Sequence, residues 1–331
     1  MLETGEELDL DGAMNIVAGF EWFARKWQSI RESYASDSKN GARNDALLGA
    51  ALAYAMEGGG KFVRPKLCLM AASAVEPGWA SGHGTDTATG SVPSWRRELI
   101  ESAAAAVEMV HNYSLIHDDL PCMDDDDLRR GRPTLHKVYD EATALLAGDA
   151  LLTDAFAIIS DVALPREHAH EALACVRELS SAAGGRGMVM GQALDLANSG
   201  MKSLGRDEAI ARLEKIHLNK TGALLGAACA MGAAAAGAGT DVIAAFRSAG
   251  HKLGLAFQVM DDLLDDSPNT GKTQGKDARA GKLTYLDLLG RESGLRYVKD
   301  LTGEALRGLK EQGVLTPAFE EFAMALCGRK N

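Results

Sequence analysis

Apolar residues recur along this chain at i, i+3, i+4 and i+7, the spacing of helices with one buried face. Four long stretches show the pattern, at roughly 97–119, 135–162, 207–236 and 239–265. Each is longer than the mean helix of about 12 residues. Helices this long and this apolar bury their faces against one another. We therefore predict an all-α, single-domain bundle of long helices, with functional residues on facing helices.

One segment interrupts the helical pattern with loop composition. Residues 76–94 are dense in Gly, Ser, Thr and Pro, which predicts a mobile surface loop. No other stretch has the composition of a linker, and no period of 20 to 50 residues recurs. We expect residues 1–331 to form one domain with a flexible insertion at 76–94.

The amino-acid composition excludes several classes of protein. The chain has 331 residues, of which 46% are hydrophobic and 24% are charged, and this excludes a disordered chain. Its five Cys are scattered without a CxxC pair, so we expect a reducing cytoplasm and neither a disulfide framework nor a structural zinc site. No apolar run approaches the roughly 20 residues that span a bilayer, and the N-terminus is acidic. We expect a soluble protein without a membrane anchor.

The net charge of −11 comes almost entirely from two short segments. Residues 118–127 hold six Asp and residues 261–266 hold four, and without these ten the chain has 36 acidic and 35 basic residues. The balance argues against a nucleic-acid partner, which would require a basic surface.

Carboxylates gathered this closely need a cation, because two like charges about 4 Å apart repel by roughly 4 kcal/mol at an effective dielectric constant of 20. Asp261 and Asp265 are four residues apart and share one helix face. Pro121 ends the regular hydrogen bonding after Asp118, so Asp124 is expected to return from a turn. Mg²⁺ with a substrate phosphate fits such oxygen clusters. The alternative is a solvated acidic surface.

Three other motifs are rejected. An EF-hand loop counted from Asp124 has Arg129 where Gly is required and Leu135 where Glu is required. The GKT at 271–273 has Asp266 where a P-loop has its first Gly. His117-Asp118 resembles a phosphohydrolase pair, but no other well-spaced His and Asp accompany it.

Cations that could face phosphate lie elsewhere in the chain. The segment GGGKFVRP at 58–65 combines glycines, which allow close backbone approach, with Lys61 and Arg64. Lys220 interrupts an otherwise apolar helix, where it either reaches out to solvent or faces an anionic ligand.

With these residues assembled, the sequence resembles the short-chain trans-isoprenyl diphosphate synthases (polyprenyl synthetases), and most closely the bacterial farnesyl diphosphate synthases. Seven motifs occur in order: GGGKFVRP, HNYSLIHDDLPCMDDDDLRRGRPTLH, LLAGDALL, GQALDL, HLNKTGALL, FQVMDDLLDD and GKDARAGKLTY. The resemblance implies a helical bundle around a deep central cavity, usually a homodimer. It also implies transfer of an allylic diphosphate to isopentenyl diphosphate, giving farnesyl diphosphate and pyrophosphate.

The resemblance assigns roles to individual residues. It implies three Mg²⁺ ions per site, with Mn²⁺ as a substitute, held by Asp118, Asp119, Asp124, Asp261, Asp262 and Asp265. The allylic diphosphate would be bound by Arg129, Lys220, Gln258 and Lys282, and isopentenyl diphosphate by Lys61, Arg64, Ser73 and Arg130. Catalytic residues would be Lys220, Thr221, Gln192 and Lys282, of which Thr221 and Gln192 lie near the developing cation. For Asp126, Asp127 and Asp266 a supporting or surface position is expected.

Two positions concern specificity. Ser73 replaces the His or Gln that we expect in the isopentenyl site twelve residues after Lys61. Tyr113, five residues before Asp118, would close the cavity and stop the product at C15, although Ser114 lies about 40° from Asp118 around the helix and Tyr113 about 140°. Tyr113 as a plain core aromatic, and C20 or C10 products, remain alternatives.

Two further functions compete with this one. A class I terpene cyclase shares the first acidic motif, but it normally has an Asn/Ser/Glu second motif and has no second diphosphate site. A catalytically silent subunit of a heteromeric synthase generally lacks one Asp motif. Both motifs are present here, together with Lys61 and Arg64, so the transferase is favoured.

Overall fold

The structure is a computed structural model that describes residues 17–40, 43–57, 60–80, 92–197, 204–264 and 284–328. These ranges are overwhelmingly helical, which confirms the all-α prediction. The first half contains helices α1 (Phe20–Asn40), α2 (Arg43–Glu57), α3 (Val63–Val75), α4 (Ser94–Asp118), α5 (Leu135–Val138), α6 (Glu141–Ser160) and α7 (Ala169–Ala183). The second half contains α8 (Met188–Leu196), α9 (Arg206–His217), α10 (Ala223–Ala235), α11 (Thr240–Leu264), α12 (Tyr285–Leu289), α13 (Arg291–Glu311) and α14 (Pro317–Gly328).

Three short elements complete the described part of the chain. Strands β1 (Leu128–Arg129) and β2 (Arg132–Pro133) form an antiparallel hairpin. A 3₁₀ turn covers Arg166–His168, and a π-helical segment, Leu218–Gly222, joins α9 to α10. The hairpin follows the first acidic cluster and the π segment contains Lys220, so both irregular elements lie at predicted functional positions.

Small side chains form the centre of the bundle. Every residue of α10 is buried, and α10 packs against α3, α4, α7 and α11. Gly232 shows how closely α3 approaches, because a Cβ at this position would lie 1.9 Å from the carbonyl oxygen of Cys68. Ala and Gly are abundant here because larger side chains would force the helices apart.

One of the four predicted helical stretches is divided between two helices, and another contains a π-helical segment. The stretch 135–162 divides between α5 and α6, where Asp140 caps α6 by accepting a hydrogen bond from the amide of Thr143 at 2.7 Å. The stretch 207–236 continues through the π segment without leaving the helical path. The other two predictions agree closely with α4 and with α11, which is described to its end at Leu264.

The described start of the predicted surface loop at 76–94 contains one buried residue. Trp79 is fully buried, its ring lies against Gly19, and its indole N–H donates to the Ser73 hydroxyl at 2.8 Å. Helix α4 begins at Ser94. Pro77 and Gly78 are exposed, whereas Trp79 is held in the core, because its large aromatic ring gains free energy on leaving water. Residues 81–91 lie outside the described ranges.

Candidate active site

The first acidic cluster forms a turn at the end of α4. Pro121 follows the last helical turn, and the amide of Asp124 donates to the carbonyl of Asp118 at 2.9 Å. This hydrogen bond brings Asp124 back beside Asp118, as Pro121 led us to expect.

The environment of Asp118 opposes its charge. Its pKa is raised to about 6, chiefly by burial; Lys220 and Arg129 lower it, while the negative charges of Asp124 and Asp119 raise it. A cation placed between Asp118 and Asp124 would relieve both the desolvation and the repulsion.

Asp119 lies behind this turn and is paired with the hairpin. Its carboxylate is buried and accepts hydrogen bonds from Nε of Arg129, at 2.9 Å, and from Nη2. Nη2 of Arg129 also contacts Asp126 at 3.3 Å. Two residues assigned to different roles, Asp119 to metal and Arg129 to the allylic diphosphate, are thus bonded to each other here. Asp126 has the supporting position that the sequence suggested.

The second cluster begins on the last turn of α11, where Asp261 and Asp262 precede Leu263. The Asp262 carboxylate accepts the backbone N–H of Tyr285 at 2.9 Å, which ties α11 to the start of α12. Asp265 and Lys282 lie outside the described residues. Among the residues that are described, no three acidic, His or Cys side chains converge as the ligands of one metal ion.

The π segment presents two predicted catalytic residues. The Lys220 ammonium donates to Asp195 of α8 at 2.7 Å, and the Thr221 hydroxyl donates to Gln258 of α11 at 2.7 Å. Gly191 of α8 permits this arrangement, because a Cβ there would lie 2.1 Å from the backbone nitrogen of Lys220. π-helical turns inside helices are frequent at functional sites.

Gln192 follows Gly191 in α8, and the hydrogen bonding of its side-chain amide is unusual. Both polar atoms of its side-chain amide are buried, and neither has a hydrogen-bond partner in the protein. Buried amides are almost always satisfied, so an amide in this state indicates that a ligand or water completes its bonding.

A cationic subsite lies on α4 nearer its middle. Arg64 from the first turn of α3, Arg130 from the hairpin and His111 from α4 act on one another electrostatically, and Nη2 of Arg130 lies 3.5 Å from Nε2 of His111. Burial, followed by the charges of Arg64, Arg130 and Arg129, lowers the pKa of His111 well below its usual value. Lys61, three residues before Arg64, is exposed.

The sequence prediction missed His111 and Glu108, the buried carboxylate one helical turn before it. The available signal was the occurrence of both residues inside a stretch of α4 that is otherwise buried and apolar. Asp195, the partner of Lys220, was missed as well, although it lies in the GQALDL motif.

Ser73 is used differently from its predicted role. Its hydroxyl donates to the carbonyl of Leu69 at 2.9 Å and accepts from Trp79 at 2.8 Å. Both bonds hold the end of α3 and the turn that follows it. The contacts therefore support an architectural role for Ser73, and they favour His111 as the imidazole beside the two arginines.

Tyr113 and Ser114 lie on different faces of α4. Tyr113 is buried, and its ring meets that of His117 edge-on at 5.6 Å between centroids. Ser114 is half-buried, and its hydroxyl donates to the His111 carbonyl at 2.8 Å. The Ser114 hydroxyl is thus bonded within the helix.

Comparison with known proteins gives one consistent result. A family model described as polyprenyl synthetase matches residues 45–311. Farnesyl diphosphate synthase of Escherichia coli K12 is 43% identical over 272 residues, which cover 80% of this chain and 83% of that protein. Geranylgeranyl pyrophosphate synthase 12 of Arabidopsis thaliana, a chloroplastic protein, is 45% identical over 262 residues, covering 78% and 67%.

Solved structures agree with the sequence comparison. A geranyltransferase from Helicobacter pylori, described as complexed with magnesium and isoprenyl diphosphate, superposes with a TM-score of 0.69 at 32% identity, covering 92% of this chain and 96% of that one.

Proposed function

Because the chain belongs to the polyprenyl synthetase family and is a prenyltransferase, we propose that it condenses dimethylallyl and then geranyl diphosphate with isopentenyl diphosphate. Each condensation forms one carbon–carbon bond, releases pyrophosphate and loses one proton. The observation that supports this proposal is that the first acidic cluster and the cationic subsite lie along the same helix, α4. Asp118 and His111 are seven residues apart, so they lie on the same face about 10 Å apart along the axis.

The acidic residues fit Mg²⁺ through their chemistry. They are hard oxygen donors, and the raised pKa of Asp118, caused by burial and by neighbouring carboxylates, reflects a charge that needs compensation. Mg²⁺ requires only one or two carboxylates per ion and leaves its other positions to water and phosphate. The ions would be held by Asp118, Asp119, Asp124, Asp261, Asp262 and Asp265. Bound there, Mg²⁺ supplies Lewis acidity to the departing diphosphate.

The other site residues would bind the two diphosphates and face the developing cation. Lys220 and Arg129 would exchange Asp195 and Asp119 for the allylic diphosphate, assisted by Gln258 and Lys282. The Thr221 hydroxyl and the unsatisfied amide of Gln192 would direct their oxygens at the developing cation. Isopentenyl diphosphate would be held by Lys61, Arg64, Arg130 and His111.

We propose farnesyl diphosphate, C15, as the main product. Tyr113 supports this length, because a buried ring on α4 five residues before Asp118 would limit the space for a growing chain. Geranylgeranyl diphosphate is the second candidate, since the Arabidopsis relative named as a geranylgeranyl pyrophosphate synthase is as similar as the E. coli one.

We further propose a homodimer formed through α6. This helix is the one candidate among the described residues that is apolar and long enough to span a membrane, yet only about a third of it is buried. Leu145 and Leu146 are 47% and 56% exposed. Asp154 on the same helix accepts a hydrogen bond from Tyr34 at 2.6 Å. A carboxylate on this helix favours contact with another protein surface over contact with lipid. A second copy would cover these leucines.

We propose a cytoplasmic location for the dimer. None of the five cysteines forms a disulfide bond, and four of them are buried. A chain that keeps its thiols reduced in this way suits a reducing compartment.

The experiment that tests the reaction measures pyrophosphate release. The purified protein, Mg²⁺, isopentenyl diphosphate and geranyl diphosphate should release one pyrophosphate for each isopentenyl unit incorporated. Chelation of Mg²⁺ should abolish the release, and excess Mg²⁺ should restore it. Release of pyrophosphate without isopentenyl diphosphate would indicate a cyclase instead.

A further inference from the structure

The hairpin that carries Arg129 and Arg130 is too small to fix its own position. Its strands β1 and β2 have two residues each. A two-stranded hairpin is at best marginally stable in water, so contacts with the rest of the protein must hold it. The Thr134 hydroxyl closes its base by donating to the carbonyl of Asp126 at 2.7 Å. This hydrogen bond lies within the turn and does not connect the hairpin to the helices.

The contacts that the hairpin makes with α4 involve the two arginines themselves. Nε of Arg129 donates to Asp119 at 2.9 Å, and Nη2 of Arg130 lies 3.5 Å from Nε2 of His111. In the proposed reaction both guanidinium groups bind diphosphates, so these contacts change when the substrates arrive. The hairpin therefore needs an anchor that does not depend on the groups that bind substrate.

Helix α2 provides such an anchor through Tyr54. The Tyr54 hydroxyl donates to the carbonyl oxygen of Pro133, in β2, at 2.9 Å. The guanidinium of Arg132, also in β2, lies 4.2 Å from the centroid of the Tyr54 ring and donates to Glu57 of α2 at 3.0 Å. The ring of Tyr139 meets the Tyr54 ring edge-on at 6.1 Å between centroids and supports it from the side.

Packing alone does not hold the hairpin in this place. Tyr54, Pro133 and both arginines line a cavity of about 60 Å³ between α2, α4 and the hairpin. Unfilled space leaves room for movement, because close packing is what normally fixes a segment. The side chains of Arg132 and Glu57 are partly exposed, so solvent screens their ion pair. The position of β2 thus depends chiefly on the hydrogen bond from Tyr54.

We propose that Tyr54 is a positioning residue that holds β2 against α2 and thereby fixes Arg129 and Arg130 for the two diphosphates. The identity of these ligands rests on the proposed function. Tyr54 acts through the backbone of the hairpin and touches no reacting atom. Because the two arginines are consecutive, release of the hairpin should weaken the binding of both substrates together and leave the chemical step nearly unchanged.

The test is Tyr54→Phe, which removes the hydroxyl and keeps the ring. We expect KM for isopentenyl diphosphate and KM for geranyl diphosphate each to rise three- to tenfold, while kcat stays within twofold. Tyr139→Phe is the matched control, because it removes a hydroxyl from the neighbouring ring and leaves the bond to Pro133 intact, and it should change neither KM. Arg132→Gln takes the guanidinium away from the Tyr54 ring and should raise both KM values two- to fivefold.

Limited digestion with trypsin, in the absence of substrate, provides a readout that does not require turnover. Arg130 and Gly131 are exposed at the tip of the hairpin, so the peptide bond between them is cut once the turn can leave its place. Tyr54→Phe should be cut after Arg130 at least fivefold faster than the wild type, with unchanged rates at the other sites. Tyr139→Phe should be cut like the wild type.

Three results would overturn the proposal. The first is KM values that stay unchanged in Tyr54→Phe or rise for one substrate only, because the two arginines would then not depend on one anchor. The second is faster cleavage throughout the chain, which would reduce Tyr54 to general packing. The third applies if Tyr54→Phe does not fold, and it is a pair of unchanged KM values in Arg132→Gln. Failure of the wild type to incorporate isopentenyl diphosphate would instead contradict the proposed function, and cleavage after Arg130 would still test the anchor.

Discussion

At the scale of single residues, the candidate site is built from charges that are stabilised in pairs. Lys220 is paired with Asp195, and Arg129 with Asp119. Asp118 differs, because burial has the largest effect on its pKa and outweighs the opposing charges of Lys220 and Arg129. A site for two diphosphates and a metal needs such groups, because each charged side chain must give up its partner within the protein when it binds a ligand.

The first prediction concerns the cost of charging Asp118. Its pKa, raised to about 6 by burial, lies above the usual value near 4, so its contribution to stability is present at low pH and is lost as pH rises through 6. In metal-free protein, Asp118→Asn should therefore raise the free energy of unfolding at pH 7.5, by about 1 to 2 kcal/mol. The gain should shrink towards pH 4. Urea unfolding with a chelator at both pH values measures it, and a loss of stability at pH 7.5 would contradict this view of Asp118.

The second prediction concerns product length. Tyr113→Ala removes a buried ring near Asp118, and the added space should shift the product from C15 towards C20 or longer. Chromatography of the dephosphorylated products measures the shift. Ser114→Ala is the matched control, because it removes one hydroxyl that is bonded within the helix, and we expect the product to remain unchanged. An unaltered distribution in Tyr113→Ala would make Tyr113 a plain core aromatic.

At the scale of elements, the helical period predicted α4 and α11 almost to their ends. The break between α5 and α6 was missed because the apolar spacing resumes directly after Asp140 and Glu141, and the cap at Asp140 decides where α6 begins. The π segment was not predicted, because one extra residue in a single turn does not visibly change the spacing of apolar residues along the chain. The presence of Lys220, Thr221 and Gly222 within an apolar stretch was the visible signal.

The third prediction tests that cap. Asp140→Ala removes the acceptor for the amide and hydroxyl of Thr143, and should lower the free energy of unfolding by about 1 kcal/mol. Asp161→Ala at the other end of α6 is the control, because no side-chain cap is formed there. Equal losses in the two variants, measured by urea unfolding, would show that the cap bond is not the cause.

At the scale of the whole molecule, the exposed leucines of α6 indicate a second copy. Leu146→Glu should convert the dimer to a monomer, because two buried carboxylates would face each other across the contact. Sedimentation velocity measures the change. Leu173→Glu, at a leucine that is 58% exposed on α7, should leave the dimer intact. A wild-type chain that sediments as a monomer would contradict the proposed interface.

The sequence identified the acidic clusters and most of the cations, because charges in apolar helices are conspicuous. It could not show which charges pair, since Arg129 meets Asp119, and Lys220 meets Asp195, only through the fold. Ser73 illustrates the limit most clearly. Its position twelve residues after Lys61 suggested a substrate contact, whereas its hydroxyl accepts a hydrogen bond from Trp79, six residues later. Asp265 and Lys282 stay predictions, because they lie outside the described residues.

The most direct measurement of the central claim, prenyl transfer between two diphosphates at one site, is product analysis with defined substrates. Purified protein with Mg²⁺ and labelled isopentenyl diphosphate is given dimethylallyl, geranyl or farnesyl diphosphate in turn. We predict that the first two are elongated to a common C15 product and that the third is elongated slowly or not at all. Absence of labelled product with all three allylic diphosphates would contradict it.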